Sequence, residues 1–226
     1  MKAILASHDL TKVRGGVELA EKMTGKPRNN INIAVINEAA AVEFGDHRWA
    51  IDTLKNLADN FGGSIEIVHL MALSKDQIRD RINANDMVFV LGGSPEWLKI
   101  VFDKTGFSDM RPEILKNKLY VGSSAGSMIL GHRSSNKVQE QMYGTAEYFG
   151  VEKYLDWLDL SVLPHFEITG GDRSKKWATC ESKSVNYPVY ALSDRAAVVV
   201  DDDKISVIGD DYLKLVGGDI VEFKNH

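Results

Sequence analysis

The run Leu119-Tyr120-Val121-Gly122-Ser123-Ser124-Ala125-Gly126-Ser127-Met128 constrains the fold more than any other stretch of the chain. It reads as a short apolar strand that enters Gly-x-Ser-x-Gly and continues into small, helix-compatible residues. A strand that turns this sharply into a helix lifts the central hydroxyl clear of the sheet, and glycines flank it because a Cβ would clash in so tight a turn. The same turn presents backbone N–H groups at a helix N-terminus, where they can hold a developing oxyanion. A serine hydroxyl is a weak nucleophile by itself, so Ser124 gains meaning only if a base and an orienting group lie elsewhere.

The pattern around this turn is that of an α/β fold. Ala3–Ser7, Asn32–Asn37, Ser64–Leu70, Asp86–Leu91 and Leu119–Gly122 are apolar runs of strand length, the mark of strands buried on both faces. Between them, Val17–Met23, His47–Phe61, Ser74–Asn83 and Glu96–Phe102 read as helical, with Ser74 as N-cap and Gln77 three residues on. Strands alternating with helices imply right-handed crossovers and a mainly parallel sheet with helices on both faces. After about Asp159 the pattern becomes β-rich. Leu160–Leu163, Val189–Leu192, Ala196–Val200 and Ile205–Ile208 are strand-like, and the last three are spaced closely enough to form C-terminal hairpins. Asp201-Asp202-Asp203 reads as a solvated hairpin turn rather than a metal site.

At 226 residues the chain is expected to form one domain, 1–226. Against 27 basic residues stand 32 acidic ones, a net charge of −5 without a basic block, which argues against a nucleic-acid binder. The single cysteine, Cys180, excludes an internal disulfide and fits a reducing compartment. No apolar run approaches the ~20 residues that span a bilayer, and the first ten residues do not read as a signal peptide. A soluble, cytoplasmic protein is expected.

In open α/β sheets, ligands sit at the carboxyl ends of the strands, and three features fall there: Gly92-Gly93-Ser94, the Ser124 turn, and Pro164-His165-Phe166-Glu167. Among the six histidines, only His165 combines a strand end with a preceding proline. It is the candidate base. Gly92 and Gly93 offer unhindered N–H groups for an oxyanion hole completed by the N–H of Ala125. The orienting carboxylate is less legible. Glu167 shares a face with His165 in an extended segment, and Glu140 and Glu147 compete with it.

Val90-Leu91-Gly92-Gly93-Ser94, Val121 to Ser127 and Leu163-Pro164-His165-Phe166, in this order and spacing, resemble peptidase family S51, which includes dipeptidase E and cyanophycinase. The resemblance runs from about Ile33 to about Val200. It implies a class I glutamine amidotransferase-like fold, a nucleophile at Ser124, a base at His165, an oxyanion hole near Gly93 and Ala125, and no cofactor or metal. Two departures stand out. The family commonly has Asn where this chain has Ser94. Dipeptidase E has an aspartate soon after the nucleophile's helix, whereas here none lies between Ser124 and Asp156. Glu167 is narrowly preferred as its replacement, since it matches the His-x-Glu arrangement of the amidotransferase relatives.

The expected activity is serine-type hydrolysis of short peptides, dipeptides with an acidic first residue above all. An aspartyl substrate needs a cation, best a bidentate Arg, and Arg133 and Arg173 are the candidates. Cyanophycinase-like activity would call for a richer Arg and Gln cluster after the histidine. An α/β-hydrolase esterase would place its acid between Ser and His, with His late in the chain. A catalytically silent binding module on the same scaffold is the alternative from another class. The expected partner is a small peptide, with a homodimer left open.

Overall fold

The apolar runs of the first half all become strands, each close to the length over which both faces are covered. They are β1 (Lys2–Ala6), β2 (Ile33–Ile36), β3 (Ile65–Ile67), β4 (Met87–Val90) and β5 (Leu119–Ser123). The computed structural model describes residues 1–111, 118–143, 149–166 and 172–224. Interspersed are helices α1 (Gly16–Thr24), α2 (Arg48–Asn60), α3 (Lys75–Ala84), α4 (Pro95–Thr105), the short α5 (Ala125–Met128), α6 (Asn136–Tyr143) and α7 (Asp172–Ser184). The capping box expected at α3 is present: Gln77 N donates to Ser74 Oγ at 3.3 Å and Ser74 N to Gln77 Oε1 at 2.9 Å. β3 is shorter than its apolar run, because it is the sheet edge and the chain leaves it for a 3₁₀ turn at Leu70–Ala72.

Strand order in the seven-stranded sheet is β3-β2-β4-β5-β1-β8-β9, with β8 (Ala196–Asp201) and β9 (Lys204–Gly209). The first five are mutually parallel, whereas β8 runs antiparallel to β1 and β9 antiparallel to β8. Alternate residues of each strand feed opposite cores. Ile33, Val35, Met87 and Phe89 meet Val17 and Ala20 of α1 and Leu57 of α2. Ala34, Ile36, Val88 and Val90 meet Ile78 of α3 and Leu98 and Phe102 of α4. Burying a side chain such as Phe89 or Phe102 contributes roughly 1.5–3 kcal/mol, so the two-faced pattern sets the register of the whole sheet.

A second, four-stranded sheet has the order β11-β10-β7-β6, from β6 (Ser161–Leu163), β7 (Val189–Leu192), β10 (Tyr212–Val216) and β11 (Asp219–Lys224). One of its faces, with Leu163, Val189, Ala191 and Leu213, packs against Val138 of α6 and Ala178 of α7; Val162, Tyr190 and Leu192 join the core under the main sheet. The expected pairing of Val189–Leu192 with Ala196–Val200 does not form. β7 pairs with β6 in parallel and with β10, while β8 crosses to the main sheet beside β1. The link Ser193–Arg195 is a transfer between sheets, held by Ser193 N on Asp211 O at 3.0 Å and Ser193 Oγ on Asp210 O at 2.7 Å. The β8–β9 hairpin forms as expected, turning at Asp202. α6, α7, β10 and β11 are additional to the elements expected from sequence. Among the described residues, no helix is long and apolar enough to cross a membrane.

Candidate active site

The carboxyl ends of β1, β4, β5, β6 and β7 converge on one cleft. Ser124 tops the turn from β5 into α5 with φ 49° and ψ −110°, a conformation that costs a non-glycine residue about 1–3 kcal/mol and persists only where its surroundings enforce it. They do so by close backbone contact. A Cβ on Gly122 would lie 2.5 Å from the carbonyl carbon of Gly126, and one on Gly126 would lie 2.1 Å from Val90 O. The buried Tyr120 hydroxyl donates to Gly126 O at 2.6 Å, Ser127 Oγ to Ala6 O at 2.7 Å, and Ser124 N to Ala6 O at 3.1 Å. The elbow is thus clamped between β4 and β1.

Ser124 Oγ lies 2.9 Å from His165 Nε2. His165 follows β6 and also has a positive φ, 59°. Its N–H donates to the Oγ of fully buried Ser7 at 2.7 Å, and the next amide, Phe166 N, donates to Leu192 O at 2.8 Å. On the other side of the ring, His165 Nδ1 is 2.7 Å from Asp194 Oδ1. The hydrogen bond from His165 holds the Asp194 carboxyl below its ordinary range, against a desolvation that works the other way. A hydroxyl on one imidazole nitrogen and a carboxylate on the other is an arrangement able to take a proton from the hydroxyl while fixing the tautomer of the ring.

Asp194 escaped the sequence reading, which sought the acid near His165 and near the nucleophile's helix. It lies instead in the transfer between sheets. The signal that could have found it is the parallel register of β6 and β7, Leu163 opposite Ala191, which brings the residues just past each strand end side by side. Glu167 and Glu147 lie outside the described residues, and Glu140 is exposed on α6. The carboxylate at Nδ1 is that of Asp194. Ser7 was likewise missed. Its Oγ is also 3.0 Å from Leu192 O and 3.4 Å from Asp194 Oδ1, so one buried hydroxyl binds three strand ends together.

Gly92 and Gly93 stand opposite the elbow. A Cβ on Gly92 would come within 3.1 Å of Ser124 Cβ, and Gly93, with φ 129°, would place one 2.2 Å from Ala39 O. Among the described residues, the N–H of Gly93 has no acceptor. Ser94 has a use of its own: its Oγ caps α4 by accepting from Trp97 N at 3.2 Å. Ala125 opens α5 directly after Ser124. Arg133 does not point a lone cation at the cleft, because its guanidinium meets the buried carboxylate of Glu96, whose second oxygen accepts from Phe149 N at 2.8 Å. Arg173 falls at the start of α7, with its side chain outside the described residues.

The cleft has a volume of about 560 Å³, and its lining includes His8, Trp49, Gly93, Glu96, Ser124 and His165. The His8 ring meets that of His165 edge-on at 5.9 Å and 83°, and burial lowers its pKa. Its buried Nδ1 has no partner among the described residues. Also among the described residues, no group of three or more His, Cys, Asp or Glu side chains could hold a metal ion.

A mostly parallel sheet carrying a strained serine elbow against a histidine at its carboxyl edge defines a hydrolase-type α/β site. The chain belongs to peptidase family S51, whose model matches residues 9–208, and it is a peptidase. It is similar to the uncharacterized peptidase PM1590 of Pasteurella multocida, at 24% identity over 77% of this chain and 83% of that one. Peptidase Lmo0363 of Listeria monocytogenes, also uncharacterized, is 28% identical over 61% of this chain and 66% of its own length. Among solved structures, a Listeria monocytogenes protein provisionally described as a peptidase E superposes with a TM-score of 0.73 at 22% identity, covering 92% of this chain and 98% of that one. A peptidase from an acI-B1 actinobacterium gives a TM-score of 0.64 at 16% identity, covering 96% and 91%. At these identities the two structures bear on the fold, which is that of peptidase E-type proteins.

Proposed function

We propose that this protein is a serine peptidase that hydrolyses short peptides through an acyl-enzyme on Ser124. The observation that carries the reading is the chain of contacts Ser124 Oγ, His165 Nε2, His165 Nδ1, Asp194 Oδ1, at 2.9 and 2.7 Å. Ser124 Oγ attacks the scissile carbonyl while His165 Nε2 takes its proton. Asp194 accepts from Nδ1–H and stabilises the imidazolium that forms. The N–H groups of Gly93 and Ala125 hold the oxyanion, and His165 returns the proton to the departing amine. Water, deprotonated by the same nitrogen, then hydrolyses the ester and restores Ser124. A cleft of about 560 Å³ suits a peptide of a few residues.

The resemblance points to dipeptides with an acidic first residue. Such a residue needs a counter-charge, and the candidate Arg133 already faces Glu96. The test is labelling by a fluorophosphonate probe, followed by turnover of a dipeptide panel that includes Asp-Ala. Stoichiometric labelling lost in Ser124→Ala and retained in Ser135→Ala is expected. Equal labelling of Ser124→Ala and the parent would overturn the reading.

A further inference from the structure

The segment between β2 and α2 forms one wall of the cleft, and its chemistry bears on what the cleft selects. It is tied to the Gly92-Gly93 turn by Ser94 N on Ala39 O at 2.9 Å. The His47 ring braces it, with Nδ1 3.0 Å from Gly45 O and Nε2 3.2 Å from Ala40 O. On this frame stand Val42, Phe44 and Trp49, all lining the cleft. The Trp49 indole reaches to 3.7 Å from where a Cβ on Gly92 would lie, and that same point is 3.1 Å from Ser124 Cβ. The indole and the hydroxyl therefore flank a single glycine. Phe44 is fully exposed at 102%, so it stabilises nothing in the folded chain. An aromatic held in water that lines the same cleft as the Ser124 hydroxyl and a half-buried indole is surface available to a ligand.

The charges of the same cleft point the same way. Its titratable lining side chains among the described residues are the carboxylates Glu43 and Glu96 and the two histidines His8 and His165; no lysine or arginine among the described residues lines it. A carboxylate side chain entering here would lose hydration, and no lysine or arginine among the described lining residues stands ready to offset that cost. A leucine or phenylalanine side chain would lose only apolar exposure.

We infer that the Val42–Trp49 wall is the specificity subsite, and that it selects short peptides with a large apolar residue flanking the scissile bond rather than an acidic one. This rests on the serine-peptidase reading above. The experiment measures kcat/KM on Xaa-Ala and Ala-Xaa dipeptides, with Xaa as Leu, Phe, Ala or Asp, for the parent, Trp49→Ala and Phe44→Ala. The rate of Ser124 labelling by a small fluorophosphonate is followed in parallel. The parent should favour Leu or Phe over Asp at one position by about tenfold or more. Trp49→Ala should lower the Leu and Phe values by about tenfold more than the Ala-Ala value and the labelling rate, and Phe44→Ala by about threefold. Because Phe44 is fully exposed, its variant tests the wall even if Trp49→Ala folds poorly. Preference for Asp at either position, or an equal loss on every substrate, with labelling intact, overturns the subsite and leaves the peptidase reading standing. Absence of labelling in the parent removes both.

Discussion

His165 and His132 both hold a carboxylate oxygen against Nδ1, Asp194 at 2.7 Å and Asp156 at 3.1 Å. They part company at Nε2. There His165 meets the hydroxyl of Ser124 at 2.9 Å, whereas His132 meets a second carboxylate, Asp159, at 3.0 Å. A ring between two carboxylates has an acceptor on each side and no hydroxyl from which to take a proton. A ring between a carboxylate and a hydroxyl has one partner that fixes its tautomer and one that can give up hydrogen. The backbone differs as well. His132 lies just past α5, its N–H on Leu160 O at 2.8 Å, and stacks on Tyr187 at 4.1 Å. His165 has a positive φ and hangs from Ser7, where two sheets meet. The same residue type beside the same kind of carboxylate thus meets a second acceptor in one place and a hydroxyl in the other, and that second partner makes the difference.

Removing each ring is the strongest way to break this comparison. His165→Ala should lower kcat by about 10⁴-fold or more, as should Ser124→Ala, and the double variant should be no worse than either alone because the two act as a unit. His132→Ala should leave kcat within about twofold, since exposed or half-exposed ion pairs contribute little. Steady-state rates on the best dipeptide of the panel decide it. A His132 variant as slow as His165→Ala would erase the distinction.

The carboxylates should separate in the same sense. Asp194→Asn is expected to cost about 10²–10⁴-fold in kcat by permitting the wrong tautomer, and Asp156→Asn almost nothing. Asp194 also leaves a mark on stability. Its folded pKa is depressed by the His165 hydrogen bond, so the folded protein binds fewer protons than the unfolded chain at acid pH. The resulting stabilisation is present above the unfolded value of about 3.9 and is lost as pH falls through the folded one. Melting temperatures of the parent and Asp194→Asn should therefore converge below about pH 4. Curves that stay parallel would show that the carboxylate has no such coupling.

Ser7 supports His165 from behind without touching substrate. In Ser7→Ala the His165 N–H loses its acceptor and the buried Leu192 O a donor, at a cost of about 1–3 kcal/mol. As a positioning residue it should reduce kcat by about tenfold with KM little changed. The cost should be met in part by Ser7→Thr, which keeps the hydroxyl. Loss of stability with full kcat would reduce Ser7 to a structural tie.

What could be read ahead of the structure follows from how local each signal is. Ser124, Gly92 and Gly93 announce themselves because the turn chemistry that needs them is written in adjacent residues, and the parallel strands because both faces of each are apolar. His165 was legible from a strand end and a proline. Asp194 was not. Its role depends on β7 and β8 lying in different sheets, and three residues between two apolar runs look like a hairpin until the register of β6 beside β7 is known. Ser7 is hidden for the same reason, since nothing near it in sequence is its partner. α7 carries so many polar residues in Asp172–Ser184 that its buried Ala178 gave too narrow a stripe to recognise.

The smallest effect concerns a third histidine, His8, which has no carboxylate at Nδ1 among the described residues. Burial lowers its pKa, and that influence outweighs the nearby charge of Asp194. The folded protein therefore holds His8 neutral at a pH where the unfolded chain, with a value near about 6.5, already protonates it. The unfolded state binds more protons across that window, so stability falls as pH drops below about 6.5 and levels off beneath the folded value. His8→Phe keeps a ring edge against His165 and removes the titration. The parent should lose more melting temperature than the variant between pH 7.5 and 5, with the gap under about 3 °C. Taking the difference between the two proteins cancels the other histidines. A gap that grows in the opposite direction would mean that His8 gains a proton on folding.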